Sequence, residues 1–184
     1  KQYISEIEAP ENKDVTKDTF SVYVSGIDTY GAITTKSRSD VNIIITVNPT
    51  TKKVLLTSIP RDYYLPFNIL DGQKDKLTHS GLYGITETMT DVAAYFNINI
   101  DYYVRVNFDS LIKIVDTIGG IEVQNPQAFG NFKAGTISLN GQEALTFSRE
   151  RYAFEDGDKE RGRNQMRVIT GIINKVLSPA ILNS

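Results

Sequence analysis

The 184-residue chain has no cysteine, one histidine and a net charge of only −2. Without cysteine there is no disulfide, no thiolate metal site and no cysteine nucleophile; the absence fits an exported protein that avoids thiols. The lone His79, in KLTHSGLYG, has no metal-binding partner near it in sequence and reads as structural or as the rim of a site. No G-x-S-x-G elbow is present, so Ser58 does not make a serine hydrolase. A net charge of −2 and a pI near 5.5 deny the chain the basic excess of a nucleic-acid binder, and no nucleic-acid partner is expected. No apolar run reaches the roughly eighteen residues that a membrane span needs. The start, KQYISEIEAPENKDV, is not a signal peptide and has no initiator Met, as expected of a piece of something longer.

What is present is an ordinary globular composition, 40% apolar and 23% charged, in a length that suits one domain with a substantial core. Residues 1–18 are polar and read as a loosely held lead-in, which leaves 19–184 as the domain. FSVYVSG (20–26) alternates and is β-branched, so it predicts a strand. VNIIITVNP (41–49) is nearly continuous in apolar residues, as in a strand covered on both faces. VLLTSI (54–59) and DYYVRVNF (101–108) predict further strands. Ile85, Met89, Val92 and Phe96 recur at helical spacing and predict a helix over about 82–96. Leu111, Ile112, Val115 and Ile118 mark another, stopped by Gly119-Gly120. IEVQ and GTISLNG are short strands or turns. Asn140 with Glu143 resembles a capping box. Met166, Ile169, Ile173 and Val176 stripe a C-terminal helix. Together these predict an α/β single domain with a central mixed sheet flanked by helices.

Five of the eight arginines crowd into FSRERYAFEDGDKERGRNQMR, residues 147–167. Four of them form two pairs of equal spacing, Arg149/Arg151 and Arg161/Arg163. Asp158 is a candidate N-cap, which would put Arg161 and Arg163 in the first helical turn, where the helix dipole disfavours cations. Arg161, Gln165, Ile169 and Ile172 are spaced along one face, so a cation and an amide sit at the mouth of an apolar stripe. A bound phosphate or pyrophosphate explains both oddities, since helix N-termini attract anions and arginines grip them with paired donors. The alternative is a solvated network with Glu150, Glu155, Asp156, Asp158 and Glu160. A second polar cluster stands at strand ends: Asp28, Arg38 with Asp40, and Arg61 with Asp62. Open α/β sheets build sites there, and aspartates beside arginines suggest a divalent cation beside an anion. Taken singly, each of these residues is also ordinary turn chemistry.

The stretches GID (26–28), RSD (38–40), SIPRD (58–62), DTIGGIEV (116–123), LNGQEALTFSRER (139–151) and DxxRGRNQ (158–165) resemble those of the LytR-CpsA-Psr (LCP) family of bacterial cell-envelope phosphotransferases, in the family's order and over about residues 20–178. The capsule-assembly branch is the most similar. The resemblance implies a domain outside the cytoplasmic membrane, anchored to it through a segment outside this chain. It implies transfer of a glycan polymer, here a capsular polysaccharide, with one phosphate, from a polyprenyl-pyrophosphate carrier to peptidoglycan. Mg2+ is the implied cofactor, with Mn2+ as a substitute.

By residue, Asp28 and Asp40 match the metal-associated aspartates. Arg38, Arg61, Arg149, Arg151, Arg161 and Gln165 match the pyrophosphate-binding positions, and Lys76 a commonly basic one. Arg163 is expected to point outward. Arg61, Arg149, Arg151 and Asp28 are the candidates nearest the reaction, although a metal-bound Asp28 would be a poor proton acceptor. Asp62 either holds Arg61 or touches the metal indirectly. A hydrophobic lipid groove is implied, lined by Ile85, Met89, Val92, Phe96, Ile169 and Ile172; by pattern alone these residues equally make a helix–sheet core. Two other activities fit the same residues: a polyprenyl-pyrophosphate pyrophosphatase with water as acceptor, and a non-catalytic lipid-binding or regulatory module.

Overall fold

The computed structural model describes residues 13–177. Its contacts gather into two compact units, Lys1–Asn107 and Phe108–Ser184.

The first unit is built on a mixed four-stranded sheet in the order β3-β2-β1-β6. β1 (Phe20–Ile27) pairs antiparallel with β2 (Ser39–Asn48), which pairs antiparallel with β3 (Lys53–Ser58). A small antiparallel pair, β4 (Tyr64–Pro66) and β5 (Lys74–Lys76), leads into the single turn α1 (Leu77–Ser80) and then α2 (Ile85–Phe96). β6 (Tyr102–Val106) returns parallel to β1. The helix expected from about residue 82 starts later, at Ile85. A 3-10 turn, Gly81–Tyr83, precedes it, and Gly84 at φ 109° separates the two, a backbone conformation open to glycine. Tyr23, Ile44, Leu65, Phe67, Leu77, Met89 and Val92 form the core. Of the lead-in, residues 1–12 lie outside the described residues. Lys13 is pinned, its Nζ 2.6 Å from Asp101 Oδ1.

The second unit joins α3 (Phe108–Thr117), the hairpin of β7 (Ile121–Asn125) and β8 (Gly135–Leu139), α4 (Gly141–Arg149) and α5 (Gly157–Val176). The expected strand over 101–108 thus ends before Phe108, which opens α3. Asn140 and Glu143 close the capping box reciprocally, at 2.9 and 2.8 Å. The core is Val115, Ile121, Val123, Leu139, Ala144, Phe147 and Val168, with Phe129 stacked among them. Asp158 is not the N-cap of α5. Asp156 holds that position, and the first turn carries Asp158 and Glu160, the charges the dipole favours. Arg161 and Arg163 fall in the next turn, so the dipole gives them no special need of an anion. The most buried line of α5 is Asn164, Val168 and Gly171, while Arg161, Gln165, Ile169 and Ile172 are half-buried.

Candidate functional site

In the first unit the charged residues collect where β1 ends and β2 begins. Cα partners Ile27 and Ser39 put Asp28 and Arg38 at the same end of the sheet. Both of these side chains are exposed. Arg61, just beyond β3, reaches back to Asp40, with Nη1 2.6 Å from Oδ1. Thr78 Oγ1 donates to the same oxygen at 2.9 Å, and Thr78 N–H donates to the Arg61 carbonyl at 2.8 Å. Residues far apart in sequence thereby lock one arginine and one aspartate together. Gly81 makes this possible. A Cβ there would stand 2.5 Å from Ser37 O and from Ser39 N, so only glycine lets α1 lie against the segment that carries Arg38.

Beneath this corner runs a buried polar lattice. Tyr23 O–H and Ser39 Oγ both donate to Asn42 Oδ1, at 2.6 and 2.7 Å. Asn42 Nδ2 donates to Ser39 O at 3.0 Å, and Ser25 Oγ meets Ser39 Oγ at 2.7 Å. Burial pushes the Tyr23 phenol pKa well up, so it stays a donor. Satisfied networks of this kind rigidify the backbone that bears them.

Asp62 does not hold Arg61. It pairs with Lys76 at 3.0 Å, and this hydrogen bond keeps its carboxyl below the ordinary carboxylate range. His79 is local as well. Its Nδ1 lies 2.9 Å from Asp75 and lowers that carboxyl's pKa. Met89 and Val92 belong to the core, Ile85 packs against it, and Phe96 lies beside Tyr63 and Tyr95 at 38% exposure.

Asp28 and Asp40 are a donor set of two carboxylates. Among the described residues no group of three or more His, Asp or Glu side chains gathers into a metal-binding cluster. Two carboxylates suit Mg2+ when phosphate oxygens and water complete its shell. The Arg61 and Thr78 contacts of Asp40 both fall on Oδ1.

In the second unit the arginine segment sorts itself. Arg163 and Arg167 are structural partners of Glu160, at 2.8 and 2.6 Å, and the Arg163 side chain is exposed. Arg151 and Arg161 converge on a single oxygen, Asp158 Oδ1, at 2.7 and 3.6 Å. Arg149, the last residue of α4, has no carboxylate partner among the described residues; its guanidinium lies 4.4 Å above the Phe108 ring. Gln165 is half-buried on the same face of α5 as Arg161. The solvated-network alternative therefore holds for Arg163 and Arg167. For Arg151 and Arg161 it holds only in that both share the one carboxylate of Asp158, and it does not reach Arg149. Glu150, one of the acids it invoked, spends its carboxylate on backbone N–H groups.

Residues 2–184 match the family model described as the LytR_cpsA_psr family. The chain belongs to the LytR-CpsA-Psr family. It is 42% identical over 169 residues to the Enterococcus faecalis protein named polyisoprenyl-teichoic acid–peptidoglycan teichoic acid transferase TagU, covering 88% of this chain and 55% of that protein. It is also 42% identical to the Bacillus subtilis protein of the same name, over 86% of this chain and 53% of the relative. The chain thus spans about half the length of the curated relatives it matches. Among solved LCP structures, B. subtilis TagV superposes with a TM-score of 0.78 at 33% identity, over 88% of this chain and 66% of that one. The family protein YwtF (TagT), solved with bound octaprenyl pyrophosphate lipid, superposes with a TM-score of 0.70 at 32% identity, over 90% and 68%. The mixed α/β fold expected from the sequence is the fold of these LCP proteins. Sequence reasoning missed Thr78 and Gly81, which hold Asp40, Arg61 and the segment carrying Arg38, and it missed that Glu150 accepts backbone amides.

Proposed function

We propose that this chain is the catalytic domain of a phosphotransferase that moves a glycan polymer, with one phosphate, from a polyprenyl-pyrophosphate carrier to peptidoglycan. The observation that carries this reading is the cationic surplus of the second unit: Arg149, Arg151 and Arg161 with only Asp158 paired among them. A pyrophosphate is the dianionic-to-trianionic, multi-oxygen ligand that such a set grips through charge-assisted bonds. The relatives' printed names and the octaprenyl pyrophosphate of the TagT structure support the carrier and the acceptor class.

In the reaction proposed, a peptidoglycan hydroxyl oxygen attacks the phosphorus that bears the glycan. The bond from that phosphorus to the bridging oxygen breaks, and polyprenyl phosphate leaves with the proton given up by the hydroxyl. Phosphoryl transfer is governed by positioning and charge neutralisation. Arg149, Arg151 and Arg161, with Gln165 beside them, would bind the phosphate oxygens; Arg38, Arg61 and Lys76 are proposed to add donors. Asp28 and Asp40 would hold Mg2+, with Mn2+ as a substitute, which supplies Lewis acidity at a phosphate oxygen. Arg61 keeps Asp40 oriented for that role.

The domain works on the outer face of the bacterial membrane in this reading, with an anchor outside this chain. No helix among the described residues is long and apolar enough to cross a membrane. The polymer is capsular polysaccharide or teichoic acid: the motifs favour the first, the names of the relatives the second. The lining proposed for the prenyl chain is Ile85 and Phe96 in the first unit, whose core holds Met89 and Val92, and, in the second unit taken by itself, Ile169 and Ile172.

The test is mass spectrometry of lipids extracted from the purified chain beside Arg149→Ala and Arg161→Ala, followed by transfer assays with lipid-linked glycan, peptidoglycan and Mg2+. A prenyl phosphate or pyrophosphate in the wild type alone, with glycan becoming covalently attached to peptidoglycan, supports the reading. Failure of wild type to bind added prenyl pyrophosphate sinks it. Release of glycan phosphate and polyprenyl phosphate without attachment would favour the pyrophosphatase.

A further inference from the structure

Glu150 stands between Arg149 and Arg151, yet it pairs with neither. Its Oε1 accepts three successive backbone N–H groups, from Arg151 at 2.9 Å, Tyr152 at 2.7 Å and Ala153 at 3.0 Å. Three donors on one carboxylate oxygen fold the chain back on itself just after α4. Both flanks of the turn are tied to one ring. Phe147 packs against Phe129 with ring centroids 5.1 Å apart and the planes tilted by 42°, and Phe154 meets the same ring edge-on at 4.8 Å. The turn then abuts the start of α5 so closely that a Cβ on Gly157 would come within 2.3 Å of Arg151 O. Between these flanks the stretch 150–153 is held by the Arg151–Asp158 ion pair and by the three amide contacts of Glu150.

We propose that Glu150 is a positioning residue whose carboxylate sets the Arg149–Arg151 turn in the shape that grips pyrophosphate. The proposal rests on the pyrophosphate reading above. It resolves an electrostatic conflict. An acid between two phosphate-binding arginines should repel the ligand, but here its lone pairs are directed into three amide dipoles. Its geometry favours binding and its charge opposes it. Glutamine in its place keeps the accepting oxygen and removes the charge, whereas alanine removes both. The two substitutions therefore act in opposite directions, which neither a purely structural nor a purely electrostatic role would produce.

The experiment uses the whole chain. Amide protection factors at residues 151–153 are measured without ligand, and farnesyl pyrophosphate is titrated in the presence of Mg2+. For Glu150→Ala, protection at the three amides should fall at least about tenfold and affinity should weaken by about tenfold, as expected for the loss of hydrogen bonds to a charged acceptor. For Glu150→Gln, protection should stay near the wild-type value and affinity should exceed that of wild type; unchanged affinity would leave Glu150 a purely structural role and overturn the electrostatic half of the proposal. Wild-type protection in Glu150→Ala overturns the proposal, as does an equal loss of affinity in both variants. If the wild type binds no farnesyl pyrophosphate, the pyrophosphate reading falls and the ligand half of this proposal falls with it. The protection factors still decide whether Glu150 holds the turn.

Discussion

Arg61 and Arg149 are both candidate phosphate ligands, and the protein holds them by opposite means. Arg61 is clamped at 2.6 Å to an aspartate only 9% exposed, above a lattice of buried hydroxyls and an amide. Arg149 ends a helix and rests on a phenylalanine ring, with no carboxylate partner among the described residues. A sheet corner fixes a cation by burial and long-range hydrogen bonds. A loop fixes one by local capping and aromatic contacts, and leaves its charge unspent. The first arrangement suits a group that orients a metal-side carboxylate, the second a group that meets the substrate.

Substituting the two arginines breaks this comparison most sharply. Arg149→Ala and Arg61→Ala should each slow glycan transfer by roughly two to three powers of ten, about 3–4 kcal/mol of barrier, as when an oxyanion donor is removed. Their stabilities should differ. Arg149→Ala leaves no buried charge behind and should cost no more than the cation–π contact with Phe108, about 0.5–1 kcal/mol. Arg61→Ala leaves Asp40 with Thr78 as its remaining partner and should cost about 1–3 kcal/mol. Equal stabilities in the two variants would mean that the clamp on Asp40 contributes nothing to the fold.

The lattice beneath Arg61 is the next largest effect. Asn42→Ala strands the buried Tyr23 hydroxyl, leaves Ser39 Oγ with Ser25 alone, and should destabilise the chain by about 2–3 kcal/mol. Activity per folded molecule should fall too, since Ser39 adjoins both Arg38 and Asp40. A variant that is destabilised yet fully active would detach the lattice from the site.

The parts of this design that were legible in sequence are those with a local signature. β-branched runs gave the strands, and Asn140 with Glu143 gave the cap of α4. The start of α5 was misjudged because EDGD offers two aspartates as caps, and the choice depends on Gly157 fitting against Arg151 O. The late start of α2 depends on a single positive φ at Gly84. In the site, arginine and aspartate types marked the candidates, but partner choice is a tertiary matter. Nothing in SIPRD says that Arg61 reaches Asp40 while Asp62 turns to Lys76. Nor does RER say that its glutamate binds amides in preference to its neighbours.

The first unit also buries an acid that the second does not match among its described residues. Asp91 of α2 is 2% exposed, and its Oδ1 accepts the Asn68 N–H at 2.8 Å. Burial pushes its pKa up to about 7, and the nearby Glu87 carboxylate adds to the rise. The sign follows from linkage. Between the unfolded carboxylate value of about 4 and the folded value, the native state holds a proton that the unfolded chain has released. Stability should therefore fall as pH rises from about 4 to about 7 and level off above it. Urea unfolding across that range should show the slope in wild type and lose it in Asp91→Asn. An unchanged slope in the variant would assign it to other groups.

The smallest effect should come from the exposed pair Asp62–Lys76, whose side chains are 63% and 52% accessible. Pairs in such surroundings are screened by solvent and salt, so Asp62→Asn should shift stability by no more than about 0.5 kcal/mol. Its value lies in the contrast with Arg61–Asp40, which also joins an SIPRD residue to a partner outside the motif but is nearly buried. Releasing Lys76 from Asp62 leaves an ammonium free to meet a phosphate. If Lys76 is a pyrophosphate ligand, Asp62→Asn should bind farnesyl pyrophosphate slightly more tightly, with a steeper dependence on salt. If affinity and salt dependence match those of wild type, Lys76 is a surface charge paired with its neighbour, and the phosphate site has one cation fewer than the motif suggests.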